Sequence, residues 1–230
     1  MDFYLSSLCC FSGVKMKLGE IKIESLRLMS VNTENLNINN IKNYEYDDLY
    51  REYLDRMPGA INRAISRMIG LKALPCKIAE VNPSQCEIFS QFLKLNLKTI
   101  ISNLNSIERI IYINKDTINT NVEYQTLGDG EVLIHFNELH NYKGNDEKFV
   151  IEYMPILDII TTTTDNNFEI DVPETLARMI PYFVKGELYE QDEPEIAATS
   201  RNIFESALSE YISYGKPKKA RQQYVKNVMF

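Results

Sequence analysis

The chain has 230 residues, 44% hydrophobic and 25% charged, with a formal net charge of −7. That length buries a sizeable core, and the balance excludes a disordered polymer. No run approaches the roughly 18 apolar residues of a membrane helix, which excludes a chain built on such spans.

The charge is unevenly placed. After Gly215 come five basic residues, Lys216, Lys218, Lys219, Arg221 and Lys226, and no acidic one; subtracting them from −7 leaves −12 on residues 1–214. An acidic body disfavours broad nucleic-acid binding, whereas a separate basic arm suits an acidic neighbour or a phosphate backbone. Tyr224, Val228, Met229 and Phe230 give that arm an apolar end, which a purely solvated tail has no use for.

In chain order, MDFYLSSLCCFSG is apolar but carries Asp2, no basic segment and no small-residue cleavage pattern, so residues 1–17 read as an N-terminal arm with Met16 as an alternative start. KLGEIKIESLRLMSV spaces Leu18, Ile21, Ser25, Leu28 and Met29 as a short amphipathic helix. The asparagine-rich stretch that follows, 32–45, reads as a loop, because asparagine side chains compete for backbone hydrogen bonds. A longer helix starts near Asp47, with Leu49, Tyr53, Met57, Ile61, Ala64, Ile65 and Met68 on one face. Pro58 and Gly59 predict a kink or break near Met57, and Gly70 the end.

From Ala73 the period changes to short alternating or apolar runs: IERIIYIN, VEYQTL, EVLIHF, KFVIEYM and a weaker FEIDV, with turn signals at 119–121, Gly128-Asp129-Gly130 and Lys143-Gly144-Asn145. Val132, Ile134 and Phe136 share one face of their strand. Phe149, Ile151 and Tyr153 oppose Val150, Glu152 and Met154, and neither strand has a strictly polar face, so both sides are expected to be covered. QFLKLNLKTIISNLNS predicts a strand near its start and a short turn or helix near Ile100. The pattern suggests an antiparallel sheet or small sandwich rather than a nucleotide-binding βαβ fold.

Helical period returns at Pro173. Leu176, Met179, Ile180, Phe183, Val184 and Leu188 form a stripe, with Pro181 expected to bend the helix. The next helix is expected to be capped by Asp192 with Glu195 three residues on, and to bury Ile196, Ser200, Ile203, Ala207 and Tyr211, flanked by Phe204, Leu208 and Ile212. Ala197, Ala198, Ser200, Ser206 and Ala207 leave room for a neighbouring helix.

The expected fold class is therefore α+β: a helical bundle from both chain ends (18–72 and 172–214), an inserted antiparallel β domain (73–171) and a basic C-terminal docking arm (215–230).

Chemical signatures are sparse. Cys9 and Cys10 are adjacent, Cys76 and Cys86 lie ten apart, and no histidine pair completes a zinc pattern. His135 and His140 fit a strand end and loop. GxGxxG, GxxxxGK[ST] and GxSxG are absent, and Gly128-Asp129-Gly130 reads as a hairpin turn, not a calcium loop. Glu187, Glu190, Asp192, Glu193 and Glu195 are weighed as an acid–base or metal cluster and read instead as solvation and capping. The sequence thus implies no catalytic, cofactor or metal site. Arg63, Arg67 and Arg178 lie on helices, either simply solvated or contacting another subunit.

YLDRMPGAINRAISRMI and DVPETLARMIPYFVKGELYEQDEPEIAATSRNIFESAL resemble segments of tailed-bacteriophage head-to-tail connector (adaptor) proteins, and the layout over residues 18–214 is broadly similar to tail-tubular and gatekeeper adaptors. The resemblance implies a non-enzymatic virion protein assembled in the bacterial host cytoplasm. It implies a ring, typically of twelve subunits, between portal and tail, with double-stranded DNA passing through the lumen without sequence-specific binding and no membrane partner. Lys216, Lys218, Lys219, Arg221, Tyr224, Lys226 and Phe230 become candidate portal contacts, and Arg63, Arg67 and Arg178 candidate ring-packing residues. Alternatives are a tail-completion or baseplate component, a DNA-binding regulator using Arg63, Arg67 and the tail, and an enzyme built on the turn near Glu190.

Overall fold

A computed structural model describes residues 15–29, 37–41, 48–89, 92–113, 118–119, 122–128, 130–135 and 147–215. The N-terminal arm before Lys15, the turn signals at 120–121 and 143–145, Phe136, His140 and the arm after Gly215 lie outside the described residues. The chain mixes helices with antiparallel sheet and divides into two compact units, one from residues 1–74 and 159–230, the other Pro75–Asp158.

The first unit is helical. Helix α1 (Leu18–Leu28) is only 11 residues long, so it depends on tertiary partners at both ends. At its start, the N–H groups of Leu18 and Gly19 donate to the carbonyls of Phe168 and Asn166 at 2.9 and 2.8 Å, and Lys17 N–H donates to the Glu20 carboxylate at 2.7 Å. Gly19 is needed there, since a Cβ would come within 3.1 Å of the Asn166 carbonyl oxygen. At its end, Lys185 Nζ and the Tyr189 hydroxyl donate to the carbonyls of Leu28 and Met29 at 2.7 and 3.2 Å. Carbonyls that no intrahelical N–H can reach are thereby satisfied by a helix far away in sequence.

In the asparagine-rich stretch, Asn37 Oδ1 accepts from the N–H groups of Asn39 and Asn40, the local competition expected of this residue type.

Helix α2 (Asp48–Gly70) runs through Pro58 as one helix, so of the expected kink or break, the break does not occur. Pro58 is itself buried, and Leu54, Met57, Ala60, Ile61, Ala64, Ile65 and Met68 form a buried stripe around it. Packing of that stripe outweighs an interior proline penalty of about 3 kcal/mol. The termination signal is also displaced. Gly70 closes the helix, but the left-handed residue is Lys72 (φ 53°), whose N–H donates to Ile69 O while Ala73 N–H donates to Met68 O, both at 2.8 Å. This pair of bonds is a Schellman cap, with buried Ala73 supplying its apolar contact.

The stretch expected to be one bent helix is two. Helix α3 (Glu174–Ala177) stops at Arg178, and α4 (Ile180–Leu188) restarts with Pro181 in its first turn, where a missing N–H costs nothing. Helix α5 (Pro194–Glu210) begins after Glu193, not Asp192, because Pro194 takes the first helical position. Its buried stripe is Ala197, Ser200, Phe204 and Leu208, rotated from the expected one; Ile196 and Ile203 are 38% and 44% exposed. Helix α4 packs on α1, α2 and α5. Contact with α5 is close: a Cβ on Gly186 would lie 2.6 Å from Arg201 Cγ and 3.1 Å from Ala197 O. Fully buried Phe204 meets Phe183 edge-on, with ring centroids 5.0 Å apart.

The second unit is two four-stranded antiparallel sheets. One has the order β1-β8-β4-β5 and the other β2-β3-β7-β6, with β1 Lys77–Val81, β2 Glu87–Phe89, β3 Phe92–Asn96, β4 Leu104–Ile113, β5 Ile118–Asn119, β6 Tyr124–Gly128, β7 Glu131–His135 and β8 Lys148–Pro155. One core joins them: Val81, Ile110, Tyr112, Phe149, Ile151 and Tyr153 from the first sheet meet Leu93, Leu95, Val132 and Ile134 from the second. The alternation in β7 and β8 sets this arrangement, as a period of two requires. Val150, Glu152 and Met154, on the other face of β8, are buried as well.

The 3-10 turn Leu97–Thr99 follows β3, and Gly130 accepts from Leu97 N–H at 2.8 Å. Gly130 has φ 77°, and a Cβ there would sit 2.6 Å from Lys98 Cγ, so the hairpin needs glycine on two grounds. The expected strand FEIDV does not join either sheet. Glu169 forms an isolated bridge with Lys17 in the helical unit, where it helps hold the start of α1.

Candidate functional site

The helical unit carries a network of arginines and carboxylates that ties α4 to α2 and α5. Arg63 Nε on α2 donates to Glu187 Oε2 on α4 at 2.7 Å, and Arg201 Nη2 on α5 donates to the other oxygen of Glu187 at 2.9 Å. Arg201 also holds Glu190 through both Nη atoms, at 3.1 and 2.9 Å. Arg67 on α2 makes a two-pronged bond to Glu205 on α5 at 2.9 and 3.1 Å. Arg178 pairs with Glu174 one turn back at 2.6 Å. The three arginines singled out from sequence are thus all engaged within the chain, while keeping 60%, 50% and 69% of their side-chain surface exposed. Exposed pairs of this kind add little to stability, so their value lies in fixing helix register.

The same network accounts for two of the five clustered carboxylates. The hydrogen bond and charge of Arg201 hold the Glu190 carboxyl below its ordinary range, which keeps it ionised and leaves it no proton to donate at neutral pH. Arg201 itself was not flagged by sequence. It lies 11 and 14 residues from its acidic partners, a separation with no local helical signature.

Beside this network lies a groove of ≈ 410 Å³ bounded by Leu28 of α1, Tyr182 and Lys185 of α4, and Glu195, Ile196, Thr199, Ser200 and Ile203 of α5. It exists because the α5 stripe is rotated, leaving two isoleucines at the surface. Lys185 brings no free ammonium into it, since Nζ is bound to the Leu28 carbonyl. Further along α5, Glu205, Ser206, Ser209, Glu210 and Ser213 line a shallow acidic and hydroxyl-bearing depression.

In the β unit, Arg109 of β4 pairs with Glu152 of β8, the buried carboxylate on the outer face. His135 stacks edge-on against Phe92 at 4.7 Å. Cys76 and Cys86 are not joined in a disulfide, and burial pushes Cys86 up to about 11, leaving it neutral and a poor nucleophile or metal ligand. Among the described residues no group of three or more histidine, cysteine or acidic side chains is placed to hold a metal ion, and no helix is long and apolar enough to cross a membrane. Lys216, Lys218, Lys219, Arg221, Tyr224, Lys226 and Phe230 lie outside the described residues.

The sequence matches no protein-family model and none of the curated proteins it was compared with.

Proposed function

We propose that the chain is a virion structural protein, a head-to-tail connector adaptor that joins a phage portal to the tail as a ring around the DNA channel. The observation that carries this reading is the division of the chain: a contiguous β unit, Pro75–Asp158, interrupts a helical unit assembled from both chain ends. We read that helical unit as a bundle closed by distant segments, which leaves an inserted domain able to serve a different neighbour. The arginines and carboxylates of the helical unit are spent on registering helices, which suits a structural role.

In this reading the partners are the portal, a tail or neck protein and further copies of the chain, with no membrane partner. Arg63, Arg67 and Arg178 face neighbours with the exposed part of their guanidinium groups, and the basic arm docks on the portal through Lys216, Lys218, Lys219, Arg221 and Lys226, with Tyr224 and Phe230 as apolar anchors. An acidic body lining the channel lets DNA slide, where a basic one would hold it through its phosphates. The protein works in the virion after assembly in the bacterial cytoplasm.

Mass measurement of the purified chain with and without portal tests the proposal. A defined ring whose formation depends on the portal is expected, since a closed ring uses heterologous contacts. A chain that stays monomeric with portal present, or particles that assemble normally without residues 215–230, would overturn it.

A further inference from the structure

The groove beside α5 and the segment 216–230 have matching chemistry in matching order. Starting at the C-terminal end of α5, its surface presents first Glu210, Glu205, which Arg67 already holds, and three serines, then the groove at Ile203 and Ile196, whose wall also includes Glu195 and Ser200. The segment beyond α5 presents first Lys216, Lys218, Lys219 and Arg221, then Tyr224, Val228, Met229 and Phe230. A chain that reverses after Gly215 and runs back along α5 therefore meets carboxylates with its cations and isoleucines with its apolar end.

Reach permits it. From Ser213 back to Ile196 is about 25 Å along a helix rising 1.5 Å per residue. Residues 216–230 span up to about 50 Å when extended, which leaves ample length for the reversal. Of the charged groups on the groove wall, the Lys185 ammonium is held by the Leu28 carbonyl, and Glu195 is acidic and so opposes no cation of the segment. An isoleucine pair exposed at 38% and 44% on an otherwise amphipathic helix gains from cover, which the side chains of Tyr224, Val228, Met229 and Phe230 have the chemistry to supply.

We infer that the groove formed by Leu28, Tyr182, Ile196, Thr199 and Ile203 is a docking site for this chain's own C-terminal segment, held in cis until a partner takes the segment. The docking covers Ile196 and Ile203 in the isolated protein and withholds the arm from premature contacts. It does not depend on which partner eventually binds the arm, so it stands or falls separately from the connector proposal.

The test uses the full chain alone, with no portal present. Ile203→p-benzoylphenylalanine places a photo-crosslinker at an exposed position, and circular dichroism checks that helix content is retained. Irradiation is expected to join position 203 to residues 224–230 within a single chain, with a yield unchanged on tenfold dilution. The triple variant Lys216→Glu, Lys218→Glu, Lys219→Glu in the same background is expected to lower that yield at least threefold at low salt. Deletion of 216–230 is expected to raise binding of an apolar dye several-fold, and addition of Ile203→Ser to reverse that rise. Cross-links that appear only between copies would replace the cis contact by an exchanged one and overturn the inference. Capture of no tail peptide, or a yield indifferent to charge reversal, overturns it too.

Discussion

The two units of this chain are stabilised in opposite ways. The β unit is a contiguous stretch whose core is made of Val81, Leu93, Leu95, Val132, Ile134, Phe149 and Ile151, residues placed by simple alternation along hydrogen-bonded strands. The helical unit joins segments about 100 or more residues apart, where a polar side chain meets a backbone or charged group: Asn62 with Ile160 (98 residues apart), Arg63 with Glu187 (124) and Lys185 with Leu28 (157). Apolar burial supplies most of the free energy in both. Long-range assembly from short helices additionally needs directional bonds, because a helix stripe can rotate or slide where a paired strand cannot. An interaction surface is therefore easier to retune in the helical unit, where one rotation of α5 has already brought Ile196 and Ile203 to the surface.

The strongest test of this contrast is Phe204→Ala. Phe204 is fully buried against Phe183, and removing its ring should cost about 3–5 kcal/mol. Urea unfolding followed by hydrogen exchange at separate amides should show the loss in α4 and α5 and leave β4 and β8 protected. Equal loss in β8 would mean that the two units unfold as one, and the contrast would collapse.

A smaller effect is expected at Asn62. Its amide donates to Ile160 O at 2.7 Å and accepts from Ile160 N–H at 3.0 Å, so one side chain satisfies both backbone groups where the chain returns from the β unit. Asn62→Leu removes both partners and should cost about 1–3 kcal/mol. Asn62→Asp keeps the acceptor and loses the donor, so its denaturation midpoint should fall between those of wild type and Asn62→Leu. Equal midpoints for all three would show that the return point is held by apolar packing alone.

How much of this was readable beforehand follows the same division. Alternation in EVLIHF and KFVIEYM grouped Val132 with Ile134 and Phe149 with Ile151 and Tyr153, the sets that meet in the core, but with no polar face on either strand it did not say which side points inward. β2 and β5, three and two residues long, carry too few side chains for a period. In the helical unit, Pro58 and Pro181 look alike in sequence and behave differently: a buried stripe carries the first through a helix, and the second begins one. The α5 stripe was misread because Ile196 and Ile203 are more hydrophobic than Ala197 and Ser200, yet only small residues permit the approach of Gly186. Arg63 and Arg67 were singled out on sequence, but their carboxylate partners are set by tertiary structure that no spacing rule encodes, whereas Arg178 meets Glu174 at the local four-residue spacing.

A stabilising change comes next. Lys72 occupies a left-handed conformation that costs a side-chain-bearing residue about 1 kcal/mol and glycine almost nothing. Lys72→Gly should therefore stabilise the helical unit by about 0.5–1 kcal/mol, read as a higher urea midpoint for the α2 amides with those of the β unit unchanged. A lower midpoint would mean that the Lys72 side chain contributes more than its backbone conformation costs.

The smallest expected effect lies in the β unit, at Cys86. Burial raises its thiol to about 11 from a usual value near 9, so the folded chain holds this proton over a range in which the unfolded chain releases it. Stability from this group is complete below about pH 9 and declines as pH rises through the folded value, the direction required when the native state binds more protons. Alkylation gives the direct reading. At pH 8 Cys86 should react with iodoacetamide far more slowly than a free thiol, and its rate should climb only toward pH 11, as peptide mass spectrometry can follow. Reaction at pH 8 as fast as that of a solvent-exposed thiol would show that the region around Cys86 opens freely, placing the local weakness in the sandwich and not in the jointed helical unit.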